Sequence, residues 1–131
     1  MTIEETACWL QERDRFLILT HVRPDGDTVG CAAALCAALR QIGKTAYVLP
    51  NPELTATCAD YVTCYHAPKD YVPACIVSTD VASLGLLPEN AAPYWAHIDL
   101  AIDHHPSYEG FATASCIQSD KAAAGEIVYA L

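Results

Sequence analysis

Short unbroken runs of apolar residues recur along the chain, and they show no alternation of apolar and polar positions. Such runs are typical of strands that are buried on both faces of a parallel sheet. The runs that predict strands cover residues 16–20, 46–49, 74–79, 100–102 and 111–117. Three of these strands end directly before a histidine or an aspartate.

Helical segments fill the intervals between these runs. Thr2 and Glu5 form a capping-box pattern, which predicts a helix to about residue 13. Apolar residues later recur at helical spacing until Gly43, a typical helix stop, so a helix is predicted over residues 28–42. Further helices are predicted over residues 51–61, where Asn51 would be the cap, 88–96 and 122–131. Alternating strands and helices form β-α-β units, so the sequence predicts an α/β fold in which helices flank a parallel β-sheet on both faces.

Length and charge narrow the classes of protein that fit this pattern. The 131 residues suit a single domain, residues 1–131, and a hydrophobic fraction of 53% excludes a disordered chain. The net charge of -9 excludes a broad basic surface for duplex phosphates, but divalent cations could supply positive charge locally. Because no apolar run approaches the roughly 18 residues of a membrane span, we interpret the chain as a soluble cytoplasmic protein without a membrane partner.

The seven cysteines form neither a C-x-x-C pair nor a paired zinc spacing. Their number is odd, so a disulfide framework is not indicated. We interpret them as buried free thiols that pack as small apolar side chains.

Acidic and imidazole side chains cluster after three of the predicted strands. They are His21, Asp25, Asp27, Asp80, Asp103, His104 and His105. The carboxyl ends of the strands in an open parallel sheet border one crevice, so residues far apart in sequence meet there. Several carboxylates in one crevice repel each other unless cations neutralise them, and carboxylate with imidazole is a ligand set that suits Mn, Fe, Zn or Mg. The pattern predicts a metal site that holds two ions.

Each segment taken alone has a simpler interpretation. Residues 24–27, Pro-Asp-Gly-Asp, form a good turn sequence, and His21 alone would be a hydrogen-bonded loop histidine. Asp80 alone could cap a helix. Residues 103–105 are harder to explain in this way, because a carboxylate and two imidazoles directly after a buried strand are costly unless they are paired or bind a metal. Their occurrence together at matching strand ends favours the metal site.

Two motifs, together with Asp80, resemble those of a known family. Residues 21–30 read His-Val-Arg-Pro-Asp-Gly-Asp-Thr-Val-Gly and residues 103–106 read Asp-His-His-Pro, which resembles the N-terminal domain of the DHH phosphoesterases. The resemblance covers about residues 15–131 and is greatest to the branch with a C-terminal DHHA1 domain, to which residues 122–129 are also similar. That branch cleaves short oligoribonucleotides, 3'-phosphoadenosine 5'-phosphate or cyclic dinucleotide products.

The resemblance implies a set of metal ligands. One manganese ion would bind His21 and Asp25, and a second would bind Asp27 and His104. Asp80 would bridge the two ions. Magnesium or another divalent cation could take the place of manganese.

The resemblance also implies a reaction, with two further residues as catalytic candidates. His105 would lie nearer the scissile phosphate, and Asp103 would orient the neighbouring imidazoles. Two ions would lower the pKa of a bridging water and stabilise the leaving oxygen, which is the chemistry of phosphodiester or phosphomonoester hydrolysis. A small nucleotide or a short oligoribonucleotide would be the substrate.

The chain differs from the family pattern beyond Gly125 and Glu126. Family members carry a further metal-ligating Asp after this region, a position that Asp120 does not occupy, and a DHHA1 domain that holds the nucleotide. We therefore expect an incomplete DHH domain whose partner, the DHHA1 domain, is missing. An exposed apolar face and sheet edge would then favour a homo-oligomer.

Two other functions are also compatible with the sequence. The same ligands could act on inorganic pyrophosphate or polyphosphate, as in related DHH families. The chain could instead be a non-catalytic fragment that binds metal or nucleotide.

Overall fold

Five parallel strands form the central sheet in a computed structural model, which describes residues 1–131. The strands are β1 (Phe16–Leu19), β2 (Ala46–Val48), β3 (Cys75–Thr79), β4 (Leu100–Asp103) and β5 (Ala114–Ile117). The α-helices are α1 (Ile3–Gln11), α2 (Gly26–Gln41), α3 (Ala56–Val62) and α4 (Ala124–Ala130). The order β2-β1-β3-β4-β5 places β1, β3 and β4, the strands before the polar clusters, side by side. The predicted parallel α/β fold is confirmed.

Both faces of the sheet are covered, but by different kinds of structure. Phe16 and Ile18 point into a larger core that the α-helices cover, and they are fully buried. Leu17 and Leu19 point to the opposite face, into a smaller core beneath the 3-10 helix Glu89–His97. Burial of each of these side chains stabilises the folded state by roughly 1.5–3 kcal/mol. Because both faces of β1 are buried, the strand has no solvent-facing side, and its sequence shows no alternation of polar and apolar residues.

The caps of α1 and α2 show how short polar side chains fix the starts of helices. The capping box of α1 is confirmed, since Thr2 accepts a hydrogen bond from the Glu5 amide and Glu5 accepts one from the Thr2 amide. The start of α2 was predicted two residues too late. The Asp25 carboxylate accepts hydrogen bonds from the amides of Asp27 and Thr28, so the helix begins at residue 26. None of the helices has the length and apolar composition needed to cross a bilayer.

Three other predicted elements differ from the structure by more than two residues or in their type. The third α-helix begins after Thr55 rather than at Asn51, whose side chain forms hydrogen bonds with residues at the end of β1. The segment predicted as a helix over residues 88–96 is a 3-10 helix that contains Pro93, a residue without an amide hydrogen to donate. The last strand begins at Ala114 instead of residue 111, because Phe111 packs on the smaller core outside the strand.

The cysteines are free thiols, but the prediction that they are buried holds for only part of the set. Cys31, Cys36, Cys75 and Cys116 are buried, Cys58 is half-buried, and Cys8 and Cys64 are exposed. The exposed pair lies on the outer surface of a helix and in a 3-10 turn, where no run of apolar residues indicated a core.

Thiol reactivity is expected to divide in the same way. Ellman's reagent should modify Cys8 and Cys64 rapidly in the native protein, since both residues are exposed and their thiols can ionise and react in water. Burial raises the pKa of Cys36 to about 11 and that of Cys75 to about 12, so these thiols should react only after unfolding. Mass spectrometry of the modified protein identifies the sites, and urea-denatured protein is the control. Rapid modification of the buried thiols in the native protein would contradict this packing.

Candidate metal centre

The sheet brings the sequence-predicted site residues together at the carboxyl ends of β1, β3 and β4. An open cavity is lined by His21, Asp25, Asp27, Asp80, His104 and His105. Asp103 lies beneath them as the fully buried last residue of β4. Ligand atoms of His21, Asp25 and Asp80 lie within 4.8 Å of one another, and so do those of Asp80 and residues 103–105.

Asp80 is the centre of this arrangement. Its carboxylate is 4% exposed, yet Oδ1 has no hydrogen-bond partner. Oδ1 lies 3.6 Å from His104 Nε2, and Oδ2 lies 3.7 Å from His21 Nε2, which is too long for a hydrogen bond in either case. A buried carboxylate is costly unless a partner compensates its charge. Asp80 also has a φ of 59°, in the left-handed region that Asp and Asn tolerate better than most residues.

Two of the imidazoles are oriented by carbonyl groups of the main chain. Nδ1 of His21 lies 2.7 Å from the Val22 oxygen, and Nδ1 of His104 lies 3.1 Å from the Lys121 oxygen. A carbonyl can only accept, so each Nδ1 carries a proton, and in the neutral ring each Nε2 keeps a lone pair that faces the carboxylates. The Asp80 carboxylate raises the pKa of His21 and outweighs the opposing effect of burial.

The remaining two carboxylates of the cavity complete two groups of donors. Asp25 Oδ1 lies 3.7 Å from His21 Nε2, and Asp27 Oδ2 lies 3.9 Å from His104 Nε2. Asp25 caps α2, and Asp27 follows in the first turn of the same helix. The Pro-Asp-Gly-Asp turn thus starts a helix and presents one carboxylate to His21 and the other to His104.

Asp103 points toward its neighbours in the chain. Its Oδ1 accepts hydrogen bonds from the main-chain amides of His104 and His105, at 2.7 Å and 3.3 Å, and lies 2.7 Å from His105 Nδ1. The other oxygen, Oδ2, is buried without a partner. The side chain therefore fixes the path of the chain at the two histidines and the ring of His105.

The donor atoms fit a divalent cation. Donors that bind one ion at about 2.0–2.2 Å stand roughly 3.0–3.6 Å from one another in octahedral or tetrahedral geometry, and the separations of 3.6–3.9 Å in this cluster lie at or just above that range. The lysine and arginine ion pairs lie elsewhere, in Arg13 with Glu12 and Lys121 with Asp120. A cation at this site would therefore neutralise carboxylates that no basic side chain pairs with.

Sequence reasoning missed the residues that support this cavity. Asn51 donates hydrogen bonds to the Thr20 hydroxyl and the His21 carbonyl, and Glu53 accepts one from the main-chain amide of Arg23. Arg23 lines the cavity and has a φ of 49°. An Asn-Pro pair after a strand can start a helix or hydrogen-bond to a neighbouring loop. The sequence alone does not distinguish these two roles of Asn51.

A comparison with family models matches residues 15–131 to the DHH family, N-terminal domain. The chain belongs to the DHH family. The predicted resemblance is confirmed, and membership together with the acidic and imidazole cluster indicates a divalent metal site in this DHH domain.

Known proteins similar to this DHH domain are considerably longer. The bifunctional oligoribonuclease and PAP phosphatase NrnA of Thermus thermophilus is 30% identical over 113 residues, which are 85% of this chain and 34% of that protein. The crystal structure of an exopolyphosphatase-related protein from Bacteroides fragilis has a TM-score of 0.74 at 22% identity, and the match covers 97% of this chain and 41% of that one. The second likeness concerns the fold alone.

Proposed function

We propose that this DHH domain is the metal-binding part of a manganese-dependent phosphoesterase that hydrolyses small nucleotides or short oligoribonucleotides by a two-metal mechanism. The observation that carries the proposal is Asp80, a buried carboxylate that faces imidazole nitrogens of two different loops and has an oxygen without a hydrogen-bond partner. A bridging position between two cations accounts for both properties. The similarity to a protein named as an oligoribonuclease and PAP phosphatase supports the substrate class.

The proposed ligands form two groups that share Asp80. His21 and Asp25 belong to one ion, and His104 and Asp27 belong to the other. The hydrogen bonds of both histidines through Nδ1 support this assignment, because they leave Nε2 free to bind. Divalent cations held by these residues would lower the pKa of a water molecule and stabilise charge on phosphoryl oxygens. Magnesium or another divalent cation could occupy the same oxygen and nitrogen donors.

His105 and Asp103 are the proposed catalytic residues of the chain itself. His105 lines the cavity and its side chain is 42% exposed, so it can reach a bound phosphate. Asp103 accepts from Nδ1 of that ring, so when the ring carries both protons its Nε2–H can donate to a phosphoryl oxygen. Asp103 itself is buried and acts by fixing the ring and the loop.

Nucleotide binding is proposed to depend on a second domain. We infer that residues 1–131 form one DHH domain, that a DHHA1 domain is its partner, and that the partner holds the nucleotide base or terminal phosphate. The cavity supports this division, since Arg23 is the only basic residue that lines it apart from histidines. The cytoplasmic location and the homo-oligomer stay predictions, and light scattering of the purified chain tests the latter.

Hydrolysis of bis-p-nitrophenyl phosphate tests the proposal, because this diester needs little binding beyond the metal centre. We expect the chain to release nitrophenolate in the presence of manganese, to lose that activity in EDTA, and to leave inorganic pyrophosphate intact. Preferential cleavage of pyrophosphate would favour the pyrophosphatase alternative. Bound manganese with no turnover above the metal-only background would favour a non-catalytic binding domain.

A further inference from the structure

The start of α4 is in direct contact with the Asp27 carboxylate. The main-chain amide of Ala124 donates to Oδ2 at 2.8 Å, and that of Gly125 donates to Oδ1 at 2.9 Å. The Cys31 thiol donates to Oδ1 from within α2, at 3.4 Å. Two of the three donors therefore come from a segment nearly one hundred residues away in the sequence.

Residue 125 must approach the carboxylate closely to make this contact. A Cβ atom added to Gly125 would stand 3.2 Å from Asp27 Oδ1, which is tighter than an ordinary van der Waals contact. Glycine is one of the poorest helix formers, and residue 125 lies in the first turn of α4. The short distance gives a physical reason for a glycine at this position.

The same segment also holds the imidazole opposite Asp27. The carbonyl of Lys121 accepts the hydrogen bond from His104 Nδ1. Residues 121–125 thus contact both His104 and Asp27, whose Nε2 and Oδ2 atoms face each other at 3.9 Å. The other two donors are held differently, since His21 bonds to the adjacent carbonyl of Val22 and Asp25 caps its own helix.

We propose that residues 121–125 are a positioning element for one of the two metal ions, and that Gly125 is required for its close contact with Asp27. The inference rests on the proposed function, in which Asp27 and His104 bind one ion while His21 and Asp25 bind the other. It predicts that damage to the segment weakens one ion selectively, although no residue of the segment is itself a ligand.

Manganese titration calorimetry on the Gly125→Ala variant tests this selectivity. We expect one of the two ions to bind about tenfold more weakly, as is typical when a residue that orients a ligand is changed, and the other to bind as in the wild type. Gly30→Ala is the matched control, because it adds the same methyl group to a neighbouring helix where no atom lies within 4 Å. That variant should bind both ions normally.

Thermal unfolding of the metal-free protein gives a second readout. In the Asp27→Ala background the crowded oxygen is absent, so adding Gly125→Ala should raise the Tm, since alanine favours the helix. In the wild-type background the same change should fail to raise the Tm. Gly30→Ala should shift the Tm equally in both backgrounds. If Gly125→Ala alone does not fold, folding of the double variant supports the contact, and failure of both variants overturns it.

The outcomes separate this inference from the proposed function. Two ions bound with wild-type affinity by Gly125→Ala, or both ions weakened equally, would overturn the positioning role while the metal centre stands. A wild-type chain that binds no manganese would overturn both.

Discussion

The Asp80→Asn variant is expected to lose manganese binding by more than about 100-fold, and hydrolysis with it. Changing a residue that merely orients a ligand costs about 10–100-fold in metal affinity, and Asp80 is proposed to contact both ions directly. The variant keeps the shape of the side chain but removes the charge that faces His21 and His104. Titration calorimetry measures the affinity, and nitrophenolate release measures the activity.

Asparagine is a better replacement than alanine because of the main chain at this position. Asp80 has a φ of 59°, which asparagine tolerates and alanine resists, so Asp80→Ala would combine loss of a ligand with strain. Asp70→Asn is the control, since that carboxylate is exposed and lies outside the cavity. Retention of most binding by Asp80→Asn would rule out the bridging role.

The Asp103→Ala variant is expected to lower the free energy of unfolding by about 2 kcal/mol in metal-free protein. A buried donor left without an acceptor costs roughly 1–3 kcal/mol, and these donors are only partly buried, so each is expected at the low end of that range. Its Oδ1 accepts from the main chain of His104 and His105 and from the ring of His105. Removal of the unpaired Oδ2 charge offsets part of the loss, so the expected value lies below the sum of the individual costs. Urea denaturation in EDTA measures the change.

Ser78→Ala is the matched control for this experiment. Ser78 is also a buried polar residue of the central sheet, but its hydroxyl has no hydrogen-bond partner. Its removal leaves no hydrogen-bond donor without an acceptor, so the free energy of unfolding should stay the same or rise slightly. A loss below about 1 kcal/mol for Asp103→Ala would mean that water replaces the carboxylate as acceptor.

The strands and the clustering of the acidic and imidazole side chains were predictable for the same reason. A strand such as β1 is buried on both faces, so it needs an unbroken apolar run, and His21 marks where that run ends. Topology then places such ends together without any knowledge of distances. The sequence pattern therefore predicts which side chains lie close together, whereas the metal-binding role of each residue stays a proposal.

The supporting contacts could not be predicted, because they join segments with no shared pattern. Asn51 has the sequence context of a helix cap and instead holds the His21 carbonyl. The amides of residues 124 and 125 donate to Asp27. Nearly every residue type has such an amide, so the sequence does not show which ones donate to a distant carboxylate. Pro93 lies inside a 3-10 helix, a type that the prediction of a helix over residues 88–96 did not specify.

The order of the strands also determines when the cavity can form during folding. The pairing of β1 with β3 joins Phe16 to Cys75, and β4 adds to β3 from still farther along the chain. Such non-local pairings close large loops and therefore form slowly. The amide hydrogens of β1 and β3 should exchange with solvent only on global unfolding, because both strands lie inside the sheet. Ions that need ligands from all three central strands would consequently bind only after the sheet has formed, so bound manganese would report a chain that has already folded.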